Sequence, residues 1–531
     1  MDKKIKSMIS SLAQLKIEVD LLQASGDTNP LSNVQKQQYQ RRYRELSELI
    51  EGLPEKLRAE VERLQQKAAK AAAVEKKHRA AIGSIPGGFM SRHIVIVHGW
   101  SDDGKAFKKL ASEIAKWSQE PPVQINIADW ISLHNNVTYA DIAVAMKRAW
   151  EKLKLPTESR SVDVVTHSTG ALVVREWMTR FYKHDTVPIL HFLMLAPANF
   201  GSPLAHKGRS FIGRAYKGWG NFTTPTGTQI LKGLELGSPY TVELAKKDLF
   251  SQEAWYGAGR ILATVLVGNV GYDGVRAIAN EDGGDGTVRI STANLNCALL
   301  QLTLDSNQQV YKEGWRLIES RGDIAFGIMD QENHSTIALK DGGPYNPNTL
   351  GLIKRALMVS DQDFPGSNNT FSWQDEIHAA DPFVEGRSPR YLNLVTHASD
   401  NVGHDISDYF IELYRKINTD KAFEKEIYED VFKTVHAYED NEAYRSLYIS
   451  IKDLTNIVGR YTVDTLYLSL SAEPVFEPPR MPVGYRSINA ATADGLPIAK
   501  DEIKNYFKAH RTLITEVVLE RQIDDAVFKL K

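Results

Sequence analysis

Three residues of this chain carry the side chains of nucleophilic catalysis: Ser168, Asp285 and His334. Ser168 lies in Val162–Arg175, VDVVTHSTGALVVR. A β-branched run (Val162, Val164, Val165) meets a tight turn at His167-Ser168-Thr169-Gly170, and an apolar helical pattern follows at Leu172, Val173, Val174, Trp177 and Met178. Strand, sharp turn and helix with a serine at the apex form a nucleophile elbow. A serine hydroxyl is a weak nucleophile, so it must stand at a sheet end where a base can reach it. The helix then points its N-terminus at the site, and the Thr169 N–H can stabilise negative charge on an attacked carbonyl oxygen. The usual pattern is Gly-x-Ser-x-Gly; Thr166 replaces the first glycine here and Gly170 is the second. Five residues match by chance in ordinary strand-to-helix connections, so the rest of the chain must decide.

The serine needs a base and a group that orients it. Downstream lie EDGGDGTV at 281–288 and DQENHST at 330–336. Asp285 is assigned as the orienting acid and His334 as the general base, which takes the Ser168 proton and returns it to the leaving group. The same residues have blander readings. Asp and Gly dominate turns generally, and Asp282–Gly286 resembles a loose calcium loop, though the helix–loop–helix kind needs a longer spaced ligand set. His98 and His167 lie beside the site's turns and read as supporting residues. His378, His397 and His404 fall beyond the expected end of the catalytic sheet. His98-Gly99-Trp100 ends another strand; Trp100 is assigned the second oxyanion N–H, with Gly99 permitting close backbone approach. This chemistry requires no metal and no organic cofactor.

The elements that must position these residues alternate. Strands are expected at His93–Val97, Val123–Ala128, the elbow, Val187–Ala196 and Arg260–Val267, with helices near Lys105–Trp117 and Tyr139–Leu153. Such alternation predicts a mainly parallel sheet covered on both faces, with its site at the carboxyl ends of the strands. The segment at about 201–253 is far longer than an ordinary loop. It holds Phe211, Ile212, Tyr216, Trp219, Phe222, Ile230, Leu231, Leu234, Tyr240 and Leu244, and reads as a cap suited to an apolar acyl chain. The same aromatics would also serve simply to pack the cap onto the sheet.

Four stretches together resemble the lipase-like α/β hydrolases, especially the GPI-inositol-deacylase-like and lecithin–cholesterol-acyltransferase-like groups. They are IVIVHGW at 94–100, VVTHSTG at 164–170, LAPANFGSPLA at 195–205 and GGDGTV at 283–288; LKGLELGSPYTVELAKKD at 231–248 is similar to their cap segment. The chain departs from the pattern at Thr166, and at Arg289, where a proline is common. The order Ser, Asp, His along the chain is the α/β-hydrolase order. The resemblance covers about residues 90–345 and implies hydrolysis or transfer of ester-linked acyl chains, often on lipids.

The flanks complete a three-part organisation. Residues 1–82 carry apolar seams at helical spacing, broken at Gly26–Pro30, and predict a helical coiled-coil hairpin. It either lies on its own chain or docks a protein partner. Residues 83–360 hold the α/β hydrolase with its cap. Residues 361–531 hold short strand-like runs at Tyr391–Val395, Tyr409–Tyr414, Leu447–Ile451, Leu466–Ser471 and Leu513–Leu519, and predict a mainly-β, sandwich-like domain. With 531 residues, 42% hydrophobic and 24% charged, the chain has ample material for a core; a net charge of −2 offers no field for nucleic acid, and the lone Cys297 rules out an internal disulfide. The N-terminus lacks the continuous apolar core of a signal peptide and no run is long enough to span a bilayer. The expected location is the cytoplasm as synthesised, with any export by a signal-independent route.

The expected function is cleavage of carboxylic esters, as a lipase or phospholipase acting on lipid at a membrane surface. Delivery as a bacterial effector fits by analogy only. An inactive hydrolase-fold scaffold and a soluble small-ester or thioester esterase are the alternatives.

Overall fold

The computed structural model describes residue 55 and residues 92–98, 107–118, 120–132, 134–205, 227–273, 276–277, 280–304, 310–364, 372–415, 420–485 and 496–529. The expected hairpin of 1–82 (all but Glu55), the turn residues Gly99 and Trp100, and the cap aromatics Phe211, Ile212, Tyr216, Trp219 and Phe222 lie outside them.

From Arg92 the chain alternates as expected: β1 (His93–Val97), α1 (Lys108–Ala115), β2 (Val123–Ile125), α2 (Tyr139–Lys152), β3 (Val162–His167), α3 (Gly170–Phe181), β4 (Ile189–Leu195), α4 (Thr228–Leu234), α5 (Pro239–Asp248) and β5 (Leu262–Gly268). A short α6 (Ile290–Ala293) and the hairpin β6 (Ala298–Leu304) and β7 (Val310–Glu319) precede β8 (Ile324–Met329). The first sheet has the order β2-β1-β3-β4-β5-β8, with every pair parallel. Every residue of β3, β5 and β8 is buried, as a parallel sheet covered on both faces demands. The crossover helix α2 starts on a capping box, Thr138 with Asp141, which satisfies donors that have no partner within the helix. It then packs Trp150 against Trp177 of α3 at 4.7 Å between ring centroids.

Sequence reading expected no strand at β8. Its IAFGIM has weak strand composition, and Gly327 is there for packing. A Cβ on Gly327 would lie 2.7 Å from Ile377. That isoleucine sits on α8 (Trp373–Ala380), which follows α7 (Thr349–Ala356) and precedes α9 (Val384–Arg387).

The remaining elements are β9 (Tyr391–Asp400), β10 (Tyr409–Tyr414), α10 (Lys421–Glu426), β11 (Phe432–Ala437), β12 (Tyr444–Ser450), α11 (Ile451–Arg460), β13 (Thr465–Ala472), β14 (Val483–Tyr485), β15 (Leu496–Ala499), α12 (Ile503–Tyr506), β16 (Thr512–Leu519) and β17 (Arg521–Ile523). A second six-stranded sheet runs β11-β12-β9-β16-β6-β7. Its centre, β9-β16-β6, is parallel and its flanks are antiparallel. Because β6 and β7 come from residues 298–319, this sheet is built from both sides of residue 360. A third, antiparallel sheet has the order β10-β13-β15.

The period of two in a strand explains the layering. Ala298, Leu300 and Leu302 of β6 enter one core with Leu466, Leu470 and Ile498 of the third sheet. Leu299, Val395 and Ile514 point the other way, into the core of the parallel sheet. The second sheet is thus a middle layer whose central strands are buried on both faces, and the described residues from Arg92 onward belong to one compact unit. No described helix is long and apolar enough to cross a membrane.

Candidate active site

Ser168 directly follows β3 and adopts φ +57°, a conformation that costs a non-glycine residue about 1–3 kcal/mol. The backbone around it holds it there. Its N–H donates to the Leu195 carbonyl at 3.1 Å, and its carbonyl accepts from Ala198 and Ala171 at 3.3 Å each. Two residues on, α3 crosses the end of β1 so closely that a Cβ on Gly170 would lie 2.7 Å from the Val97 carbonyl oxygen. The tight approach is made at Gly170. Thr166, paired with Val97 and Met194 inside the sheet, therefore substitutes for the usual first glycine. Thr169 forms the N-cap of α3.

Asp285 lies in the loop after β5. Its Oδ1 accepts the Thr287 and Val288 N–H groups at 2.9 and 2.8 Å. Its Oδ2 accepts from His334 Nδ1 at 3.0 Å. An ionised carboxylate only accepts, so Nδ1 carries the proton and Nε2 is the basic nitrogen. The His334 N–H also donates to the Asp285 carbonyl at 3.0 Å, which ties backbone as well as ring. Both carboxylate oxygens face N–H donors, as in an orienting acid and unlike a calcium loop. His334 follows β8. Ser168, Asp285 and His334 therefore all stand at carboxyl ends of the parallel strands β3, β5 and β8, and all three are buried.

The supporting histidines form a packed row. His167 Nε2–H donates to the His334 carbonyl at 2.7 Å, and its ring lies 4.6 Å from that of His334. Phe107 packs on His167 at 5.4 Å and on His98 at 4.4 Å. Gly99 and Trp100, and with them the expected second oxyanion N–H, lie outside the described residues. His378, His397 and His404 are engaged elsewhere, with Gln374, Asp405 and Asp400.

Sequence reading missed four supports. Tyr272 shares a hydroxyl–hydroxyl bond of 3.0 Å with Thr287; burial and the nearby Asp285 charge push its phenol up to about 12, so it stays protonated. Glu332 is buried two residues before His334. Its carboxylate accepts from the Asn346 N–H at 2.8 Å and the Thr349 hydroxyl at 2.9 Å, and burial raises its pKa. Its carbonyl accepts from Val270 at 3.2 Å, pinning the histidine loop to the chain just after β5. Behind the elbow, Arg175 of α3 forms a fully buried bidentate pair with Asp248 at 2.7 and 2.9 Å, and Tyr256 donates to the same carboxylate at 2.7 Å. An arginine inside the apolar run LVVREWM was the available signal. The fourth is Arg289, beside the acid loop. In the described part of the cap, Tyr240 stacks on Tyr139 at 4.3 Å, and Ile230, Leu234 and Leu244 are core residues: these side chains pack the cap onto the body.

No protein-family model matches the chain, and no curated protein matches its sequence. Among solved structures, phospholipase PlaB from Legionella pneumophila is similar over 83% of this chain and 96% of that one, with a TM-score of 0.69 and 23% identity. A second structure of PlaB, in complex with thio-NAD, gives 0.67 and 22% over the same shares. The chain has a mixed α/β fold, with an α/β-hydrolase-like core and further β-rich regions. At this identity the likeness is one of fold alone, and it singles out neither the GPI-inositol-deacylase-like nor the lecithin–cholesterol-acyltransferase-like group. It extends beyond the parallel sheet, since 83% of the chain must take in part of the region after residue 360.

Proposed function

We propose that this chain is a serine ester hydrolase in which Ser168 is the nucleophile, His334 the general base and Asp285 the orienting acid. The observation that carries the proposal is the Nδ1–Oδ2 hydrogen bond of 3.0 Å between His334 and Asp285, on strand ends shared with a serine held at φ +57°. Ser168 Oγ attacks the ester carbonyl carbon while His334 Nε2 takes its proton. Negative charge on the former carbonyl oxygen is met by the Thr169 N–H at the start of α3 and by that of Trp100. Collapse of the tetrahedral species breaks the carbon–oxygen bond of the ester, and His334 gives its proton to the departing alcohol. Water, deprotonated by His334, then attacks the acyl carbon; the acyl–Oγ bond breaks, His334 returns the proton to Ser168 Oγ, and the acid leaves.

For substrate we propose an acyl-lipid ester, a phospholipid first, met at a membrane surface. The architecture shared with a phospholipase supports this choice. The test is release of fatty acid from phosphatidylcholine vesicles and from a series of p-nitrophenyl esters. The proposal expects hydrolysis that rises with chain length and vanishes in Ser168→Ala. Activity confined to short soluble esters would replace the lipid substrate with the soluble-esterase alternative, and no hydrolysis at all would favour the scaffold.

A further inference from the structure

The loop that carries Asp285 is not self-supporting. It is a narrow hairpin whose two legs meet where the Ile290 N–H donates to the Gly283 carbonyl at 2.9 Å and Asp285 N–H to Val288 at 3.0 Å. Across its base, Arg289 forms a bidentate pair with Glu281 at 2.7 and 2.9 Å. Beneath that base lie residues of the second sheet. The Arg289 guanidinium lies 3.9 Å from the centroid of the Tyr448 ring and donates to the Thr434 hydroxyl at 3.0 Å. The Tyr448 hydroxyl donates to the Asp282 carbonyl at 2.8 Å. Tyr391 stacks on Tyr448 at 4.4 Å. Gly283 fits onto this pair because it has no side chain: at φ +75°, a Cβ there would lie 2.4 Å from the Tyr448 hydroxyl and 2.5 Å from the Tyr391 ring.

We propose that Arg289 and Tyr448 are positioning residues for Asp285, so that the second sheet forms the floor of the active site. The proposal rests on the Ser168–His334–Asp285 triad proposed above. A planar guanidinium suits the place: it pairs bidentately with Glu281 and stacks on a ring at once, which an ammonium cannot do. Arg289 itself is fully buried, so the clamp is shielded from the screening that weakens surface pairs. Its two ends lie on either side of Asp285 in the chain, so any slack at Glu281 or Arg289 is passed to the carboxylate that orients His334. This also accounts for an arginine where related hydrolases often carry proline: the leg of the loop is held by a side chain reaching into a second sheet.

The test compares the full-length wild type with Arg289→Met, Arg289→Lys and Tyr448→Phe, by pH profiles of kcat and kcat/KM on a p-nitrophenyl ester and by melting curves. Displacing the acid by an ångström predicts a fall in kcat of about 10²-fold in Arg289→Met, with KM little changed. The acidic limb of kcat/KM should move to lower pH, because an imidazolium without its carboxylate is easier to deprotonate. Arg289→Lys should recover only part of the rate, and Tyr448→Phe, which keeps the ring and loses the bond to Asp282, should show a smaller loss with the same shift of the limb. Should Arg289→Met fail to fold, Tyr448→Phe decides. Folded variants with the wild-type kcat and acidic limb overturn the clamp, as does a lowered melting temperature with an unmoved limb. The triad is judged separately, on the wild type against Ser168→Ala. An inactive wild type removes the triad and the clamp together, whereas an active wild type beside indifferent Arg289 and Tyr448 variants removes the clamp alone.

Discussion

The two six-stranded sheets use their strands in opposite ways. The first is wholly parallel and offers its carboxyl edge: Ser168, Asp285 and His334 all follow strand ends. The second is mixed and offers a face. From β9, β11 and β12 it presents Tyr391, Thr434 and Tyr448 to the underside of the acid loop, while its opposite face closes a separate core with the third sheet. A parallel sheet collects loops at one end because every strand runs the same way. A mixed sheet cannot, and contributes side chains by alternation instead. On the proposed assignment, the reacting groups come from one sheet and their mechanical support, in part, from the other.

That division predicts a ranking. On the first sheet, Asp285→Asn should keep the loop geometry but present a donor or a misoriented acceptor to His334 Nδ1. A kcat loss of about 10⁴-fold is expected, measured on a soluble ester, with the melting temperature near that of the wild type. Parity of kcat would remove Asp285 from its role and dissolve the contrast between edge and face.

The next effect is on stability. Arg175→Met strands the buried Asp248 carboxylate, which also holds Tyr256, behind the helix that starts at the elbow. Removing one partner of a buried pair costs about 3–5 kcal/mol. Urea unfolding should show that loss in the midpoint. A change near zero would mean that α3 is held by apolar packing alone.

The smallest effect sharpens the seam between the sheets. The His510 N–H donates to Tyr391 of β9 at 2.7 Å, while Asn294, just after α6, donates to its carbonyl at 2.8 Å. Burial, aided by the Arg390 charge, pushes its imidazole from 6.5 down to about 4. The unfolded chain then binds a proton that the folded chain refuses. Stability contributed by the neutral ring is intact above pH 6.5 and declines as pH falls from 6.5 to 4. Melting temperatures over that window should fall less steeply in His510→Asn, a residue that tolerates the observed φ of +62°. Parallel curves would show that His510 ionises in place without cost.

Much of the candidate site was legible because its signals are local. The turn after Val162–His167, the glycines around Asp285 and the spacing of apolar runs each reflect a few neighbouring residues, and β1, β3, β4 and β5 fall where those runs predict. What escaped depends on distant partners. β8 is masked by Ala325 and Gly327, the glycine leaving room for α8 to approach. β6 looks like any apolar run, and nothing near Ala298–Leu304 reveals that its partner strand is Thr512–Leu519, some two hundred residues away. Arg289 reads as a deviation from a motif until Tyr448 is found beneath it. The strand runs after residue 390 were visible from alternation, but alternation specifies neither neighbour nor direction, and the parallel centre of the second sheet was therefore hidden.

The most direct measurement is reaction of the full-length protein with a fluorophosphonate in the presence of phospholipid micelles, followed by peptide mass spectrometry to place the adduct. Ser168 is only 1% exposed, so the micelle arm gives the site its occasion to open. The account predicts one adduct, on Ser168, formed with the wild type and slowed strongly in His334→Ala. No adduct, or an adduct on another serine that is indifferent to His334, would contradict it.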